Sequence, residues 1–185
     1  MMKSAGSESI EKGAVTQAGY ENGLMLALGL TIDMAATNRP ALRAVLLGDP
    51  HPASITPSLA DLTVVTTFEL PTVDEDRAKQ LKDLAETVSA RIRTLNPDIV
   101  VVRRADRPPR PSNKEGPRIR LMATGAIAAA ARSLVPRTSI RDGSQCGRAY
   151  GANKAKVDAD ASTLVEERLQ EAAAAALAGL ISDRS

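Results

Sequence analysis

Between Arg103 and Lys156 the chain carries thirteen Lys/Arg against only three acids, Asp106, Glu115 and Asp142. The rest of the chain is acidic, so a whole-chain charge of +2 conceals a basic middle and acidic flanks. Clustered cations reward contact with backbone phosphates, because each contact releases condensed counterions. Arg103, Arg104, Arg107, Arg110, Lys114, Arg118, Arg120, Arg141, Arg148, Lys154 and Lys156 are therefore the candidate nucleic-acid contacts. A solvated coat of Arg and Lys is the plain alternative, since sequence alone does not place them on one face. The block starts abruptly, with Arg103-Arg104 directly after the apolar run Ile99-Val-Val-Val102. The carboxyl end of a buried strand is where α/β proteins place their sites.

Other reactive side chains are sparse. Cys146 is the single cysteine, which excludes an internal disulfide and a thiolate metal cluster. His51 is the single histidine and lies in the turn Asp49-Pro-His-Pro52, which leaves little for a zinc site or a Ser-His-Asp triad. Gly143-Ser-Gln-Cys-Gly147 with Gly151 and Lys154 departs from the spacing of a phosphate-binding P-loop and reads as a flexible basic loop. Phe68, Tyr20 and Tyr150 are the only aromatics, so base stacking is no main binding mode and selectivity would come from shape.

The elements that must position these residues follow from pattern. Leu24–Asp33, Ala41–Gly48 and Leu62–Leu70 read as three strands, the first ending in an acid. Thr72 with Glu75 has capping-box spacing, and Leu81, Leu84, Val88, Ile92 and Leu95 recur at helical intervals until Asn96-Pro97. Ile99–Val102 is a fourth strand, and an alanine-rich helix spans about 117–134. Pro136–Ile140 is a fifth strand, a basic loop runs to Lys156, and a last helix covers about Ser162–Ile181. The order β-β-β-α-β-α-β-α predicts an α/β fold with a mixed five-stranded sheet and helices on both faces. Residues 1–21 read as a disordered tail and 22–183 as one domain. No run is long and apolar enough for a membrane helix or a signal peptide, giving a cytoplasmic expectation.

This order resembles the RNase H-like fold, and several segments resemble the RuvC family of Holliday-junction resolvases. They are Asn96-Pro-Asp-Ile-Val-Val-Val102, the helix Met122-Ala-Thr-Gly-Ala-Ile-Ala-Ala-Ala-Ala-Arg-Ser-Leu134, and Val135-Pro-Arg-Thr-Ser139. To these add Ser144-Gln-Cys-Gly-Arg-Ala-Tyr-Gly-Ala-Asn-Lys-Ala-Lys-Val157 and the terminal Gln170-Glu-Ala-Ala-Ala-Ala-Ala-Leu-Ala-Gly-Leu180. The resemblance spans about residues 24–182.

The resemblance implies a carboxylate cluster holding two Mg²⁺ ions that activate water and stabilise the leaving oxygen in phosphodiester cleavage. Asp33 matches the first acid, at the end of the first strand. The second is expected where this chain has Arg103, and of the last pair only Glu171 has a counterpart, its mate being alanine. Asp106 or Glu167 would serve only in a shifted frame. The expectation is a degenerate metal centre with Asp33 ion-paired to Arg103, in a protein that binds nucleic acid, DNA ahead of RNA, without cutting it. Two alternatives stand beside it. One is an active Mg²⁺-dependent endonuclease using Asp33, Glu167 and Glu171. The other is a non-catalytic assembly protein that self-associates through the small-residue helix 122–131, as family members form homodimers.

Overall fold

Five runs rich in Val, Leu, Ile and Thr become strands: β1 (Met25–Met34), β2 (Pro40–Asp49), β3 (Thr63–Pro71), β4 (Ile99–Arg103) and β5 (Thr138–Arg141). The computed structural model describes residues 23–34, 39–52, 58–106 and 114–182. The sequence-predicted tail, and with it Arg107 and Arg110, lies outside them. The strands form one mixed sheet in the order β3-β2-β1-β4-β5. β1–β2 and β2–β3 are antiparallel, while β1–β4 and β4–β5 are parallel, as short hairpin links and helical crossovers require.

Period-two alternation then sorts the side chains. Leu28, Leu30 and Ile32 of β1 pack on one face against α1 (Arg77–Leu95) and α2 (Glu115–Arg132). Ala27 faces the other way, against α5 (Gln170–Ser182). The expected α/β sheet with helices on both faces is therefore observed.

The alanine tract explains how α5 sits. Ala172–Ala176 are all fully buried, and the helix lies so close to β1 that a Cβ on Gly29 would fall 1.9 Å from the Ala172 carbonyl oxygen. Only small residues on both partners permit this approach. Gly179 repeats the pattern one turn before the helix ends, against Val101 and Ile99.

Two local expectations are corrected. α1 does not begin with Thr72 as its cap: Asp76 is the cap, its side chain accepting from the Lys79 N–H at 2.9 Å. Thr72 is instead tied to the start of β2, its hydroxyl donating to the Pro40 carbonyl at 2.8 Å. The acidic run 74–76 thus precedes the helix rather than forming its first turn.

The predicted basic loop 141–156 is not a loop. It holds α3 (Gly143–Ala149) and the start of α4 (Lys154–Ser162), so α5 begins at Gln170, after a 3-10 turn at Glu167–Leu169. A capping box at Asp142 and Gln145 starts α3, and Asn153 caps α4. Gly151, at φ 78°, makes the turn between them.

Candidate functional site

Strand register places one row of side chains across the sheet. Glu69 (β3) pairs with Arg43 (β2), Arg43 with Thr31 (β1), Thr31 with Arg103 (β4), and Arg103 with Arg141 (β5). Directly paired residues share a face, and this row lies on the α5 side. Three arginines therefore stand in one line beneath the α4–α5 layer, each on a different acceptor.

Arg141 donates to the Ala178 carbonyl at 3.1 Å and the Ser182 hydroxyl at 3.1 Å, serving the carboxyl end of α5, where a cation complements the helix dipole. Arg43 holds Asp33 at 2.8 Å and donates to the Arg168 carbonyl at 2.9 Å. Arg103 is 1 % exposed and forms a two-pronged pair with Asp158 of α4, at 2.6 and 3.3 Å. Burial alone would lower the Arg103 pKa, but the Asp158 carboxylate more than offsets it, and the guanidinium stays charged.

The predicted Asp33–Arg103 pair is absent. Thr31, not Asp33, is the register partner of Arg103. Asp33 lies two residues further along β1, where β4 has already ended, and the guanidinium within reach of Asp33 is that of Arg43.

Glu171, in the first turn of α5, accepts from Arg120 at 3.0 Å and from the Thr31 hydroxyl at 3.3 Å. Glu167 lies exposed in the 3-10 turn. Asp106 pairs with Lys154 and accepts from the Gly143 N–H at 2.8 Å. Burial raises its pKa, yet those two donors outweigh this and hold it below the usual carboxylate range.

Hard divalent cations need several oxygen ligands converging on one point. Among the described residues no three acids, histidines or cysteines come together in that way. Asp33 and Glu171 each face an arginine instead, and Arg103 occupies the neighbouring strand end. The residues do not fit a two-metal centre, so the metal-ligand reading of Asp33 and Glu171 has no geometric support.

The basic set also divides. Arg103 is interior and touches no solvent-borne partner, so it is not a surface contact. Arg104 pairs with Asp142, Arg120 with Glu171, Lys154 with Asp106 and Lys156 with Asp160. Three of the pairing acids, Asp158, Asp160 and Glu171, follow the 103–156 window, so the surplus counted there is reduced in space. Lys114, Arg118 and Arg148 are exposed. Sequence reasoning missed Asp158 and Arg43. Asn153 could have signalled the start of a helix carrying Asp158, but nothing local marked Asp158 as the partner of Arg103; Arg43 gave no signal beyond its place in β2.

No family model matches the chain, and no curated protein matches it. Among solved structures it is similar to Thermus thermophilus RuvC, with a TM-score of 0.62, 16% identity, and coverage of 86% of this chain and 96% of that one. The same protein in complex with a Holliday junction substrate gives a TM-score of 0.60, 18% identity, and coverage of 86% and 95%. The chain thus has a RuvC-like, RNase H-like fold. Among the described residues no helix is long and apolar enough to cross a membrane.

Proposed function

We propose that this chain, folded like RuvC, binds nucleic acid and has exchanged the two-metal nuclease centre for arginine-held ion pairs. The observation that carries this reading is the buried Arg103–Asp158 pair. A guanidinium at the strand end that faces α5 satisfies the local acids and repels a divalent cation. Binding then rests on exposed cations around α2 and α3, chiefly Lys114, Arg118 and Arg148, with Arg107 and Arg110 in the preceding segment. The T. thermophilus structure holds a Holliday junction, which makes branched DNA the first ligand to try.

The test pairs binding with cleavage. A fluorescent four-way junction is titrated at several salt concentrations, and each phosphate contact contributes about 0.9 to the slope of log K against log salt. Removing Lys114, Arg118 and Arg148 together should flatten that slope by about 2 to 3. No nicking should occur with Mg²⁺ or Mn²⁺. Cleavage abolished by Asp33→Asn would overturn the loss of catalysis, and absence of binding at low salt would overturn the nucleic-acid reading.

Self-association is a second reading, favoured by one observation. Leu121 and Met122 of α2 are exposed beside Gly125, where an added Cβ meets nothing within 4 Å. Sedimentation of the full chain decides whether this face pairs two copies.

A further inference from the structure

The sheet edge farthest from the 103–156 block has a feature of its own. β3 is an edge strand, and no backbone hydrogen bond from another described segment reaches its outer side. Nine residues long, it carries a single charge, Glu69. Exposed apolar edges of that kind are templates for strand pairing, and proteins usually blunt them with charge, bulges or proline. Here the blunting sits only at the ends. Val65 is the extra residue of a bulge opposite Leu46–Leu47, and Pro71 closes the strand. Among the described residues, Thr66–Leu70 is left between them as a regular, open window.

A groove of about 690 Å³ runs beside this window, floored by the Val64 and Thr67 side chains and walled by Leu164, Val165 and Leu169. It leads into a second hollow of about 540 Å³ lined by Arg43, Glu166, Glu167 and Arg168. Along the two, Glu69 pairs with Arg43 and Arg168 and Glu166 with Arg168, Asp33 also engages Arg43, and Glu167 adds a further acid to the lining. The surplus is of acids over bases, opposite in sign to the 103–156 block, and favours a cationic side chain over phosphate.

From the free edge, the apolar trough and the acidic rim, we infer that this groove takes an extended polypeptide segment. It adds as a sixth strand on β3 and presents alternating apolar and Lys/Arg side chains to the trough and the glutamates. Main-chain bonds to Thr66–Leu70 give the affinity, and the acidic rim of Glu166 and Glu167, in excess over Arg43 and Arg168, selects for positive charge. This partner site is separate from the nucleic-acid reading.

The probe is a fluorescein-labelled peptide of alternating Val and Lys, about seven residues long, the length of a typical strand. It is titrated against the full chain by fluorescence anisotropy. Saturable binding is expected. It should weaken about tenfold or more when Lys is replaced by Glu, and equally when alternate amides are N-methylated. Val64→Lys, at a half-exposed position, should reduce binding about tenfold with no change in melting temperature and none in junction binding. Glu166→Lys should do the same to the Lys peptide and favour the Glu peptide.

Several results would overturn the inference. Equal binding of the N-methylated peptide would show that the edge is not used. Equal binding of the Lys and Glu peptides would remove the charge argument, and absence of binding at millimolar peptide would remove the site. A full-chain dimer that Val64→Lys converts to monomer would assign the edge to a second copy instead.

Discussion

Removing the Asp158 carboxylate leaves the Arg103 guanidinium charged, 1 % exposed and without its bidentate acceptor. Breaking a fully buried pair from one side costs about 3–5 kcal/mol. The Asp158 side chain is 22% exposed and Glu171 still acts on Arg103 through space, so the lower end, about 3 kcal/mol, is expected for Asp158→Ala. In a chain of this size that is a fall of about 6–12 °C in melting temperature. The reverse change, Arg103→Met, leaves a carboxylate that water can reach and fills the space with a side chain of similar length. Its cost is about 1 kcal/mol. The double variant should lie close to Arg103→Met alone, so the cycle gives a coupling of about 2–3 kcal/mol. Urea unfolding of the four proteins, followed by circular dichroism, measures all three quantities. If Asp158→Ala costs less than Arg103→Met, or if the two single costs add in the double variant, the buried-pair account is wrong.

Three more outcomes follow from the packing and the titrating groups. Gly29→Ala drives a methyl into the Ala172 carbonyl and should cost about 3 kcal/mol, whereas Gly125→Ala, in open space on a helix, should gain about 0.5–1 kcal/mol; similar melting temperatures for both variants would contradict the close α5–β1 approach. Burial pushes the Cys146 thiol up to about 11, so at pH 8 the native protein should react with a disulfide reagent about 100-fold or more slowly than the unfolded chain. Asp106 and Asp160 are held below the usual carboxylate range: burial raises both, but Lys154 and the Gly143 N–H outweigh it at Asp106, as Lys156 and the Tyr150 hydroxyl do at Asp160. Their folded values lie below the unfolded one, so their stabilisation is full above about pH 4 and is lost as pH falls through the folded values. The urea midpoint should therefore drop between pH 5 and pH 3, and a drop of equal size in Asp160→Asn would remove that residue from the explanation.

The strands were legible because their signals are local. β1, β2, β3 and β4 fall within about one residue of the runs that ended at Asp33, Gly48, Leu70 and Val102, and the periodic Leu84-Val88-Ile92 face of α1 is buried as expected. The start of α1 was misread because three acids crowd residues 74–76, and which side chain reaches a free N–H depends on where Thr72 is pulled by β2. Helices α3 and α4 escaped notice for another reason: seven and nine residues, largely polar, are too short for a period to declare itself. The position of Arg103 beside the candidate centre was readable, but its partner was not. Asp158 is 55 residues away and becomes an acceptor only once α4 is a helix leaning on the sheet. Charge counted along a window likewise overstates charge in space, since Asp158, Asp160 and Glu171 fold back onto bases that precede them.

The seat of α5 on β1 joins the first described strand to the last described helix. Gly29 and Ala172 touch across more than 140 intervening positions, and Ala27, Val45 and Leu47 have α5 as their apolar cover. During synthesis, β1–β3 can pair as soon as they emerge, but one face of that meander stays wet until α5 leaves the ribosome. Folding of the sheet is thus gated by the synthesis of α5, and the entropy of closing so long a loop is met only when that helix docks. Nascent chains stalled before Gln170 should remain protease-sensitive in β1 and β2, with protection arriving in one step when the alanine tract is released.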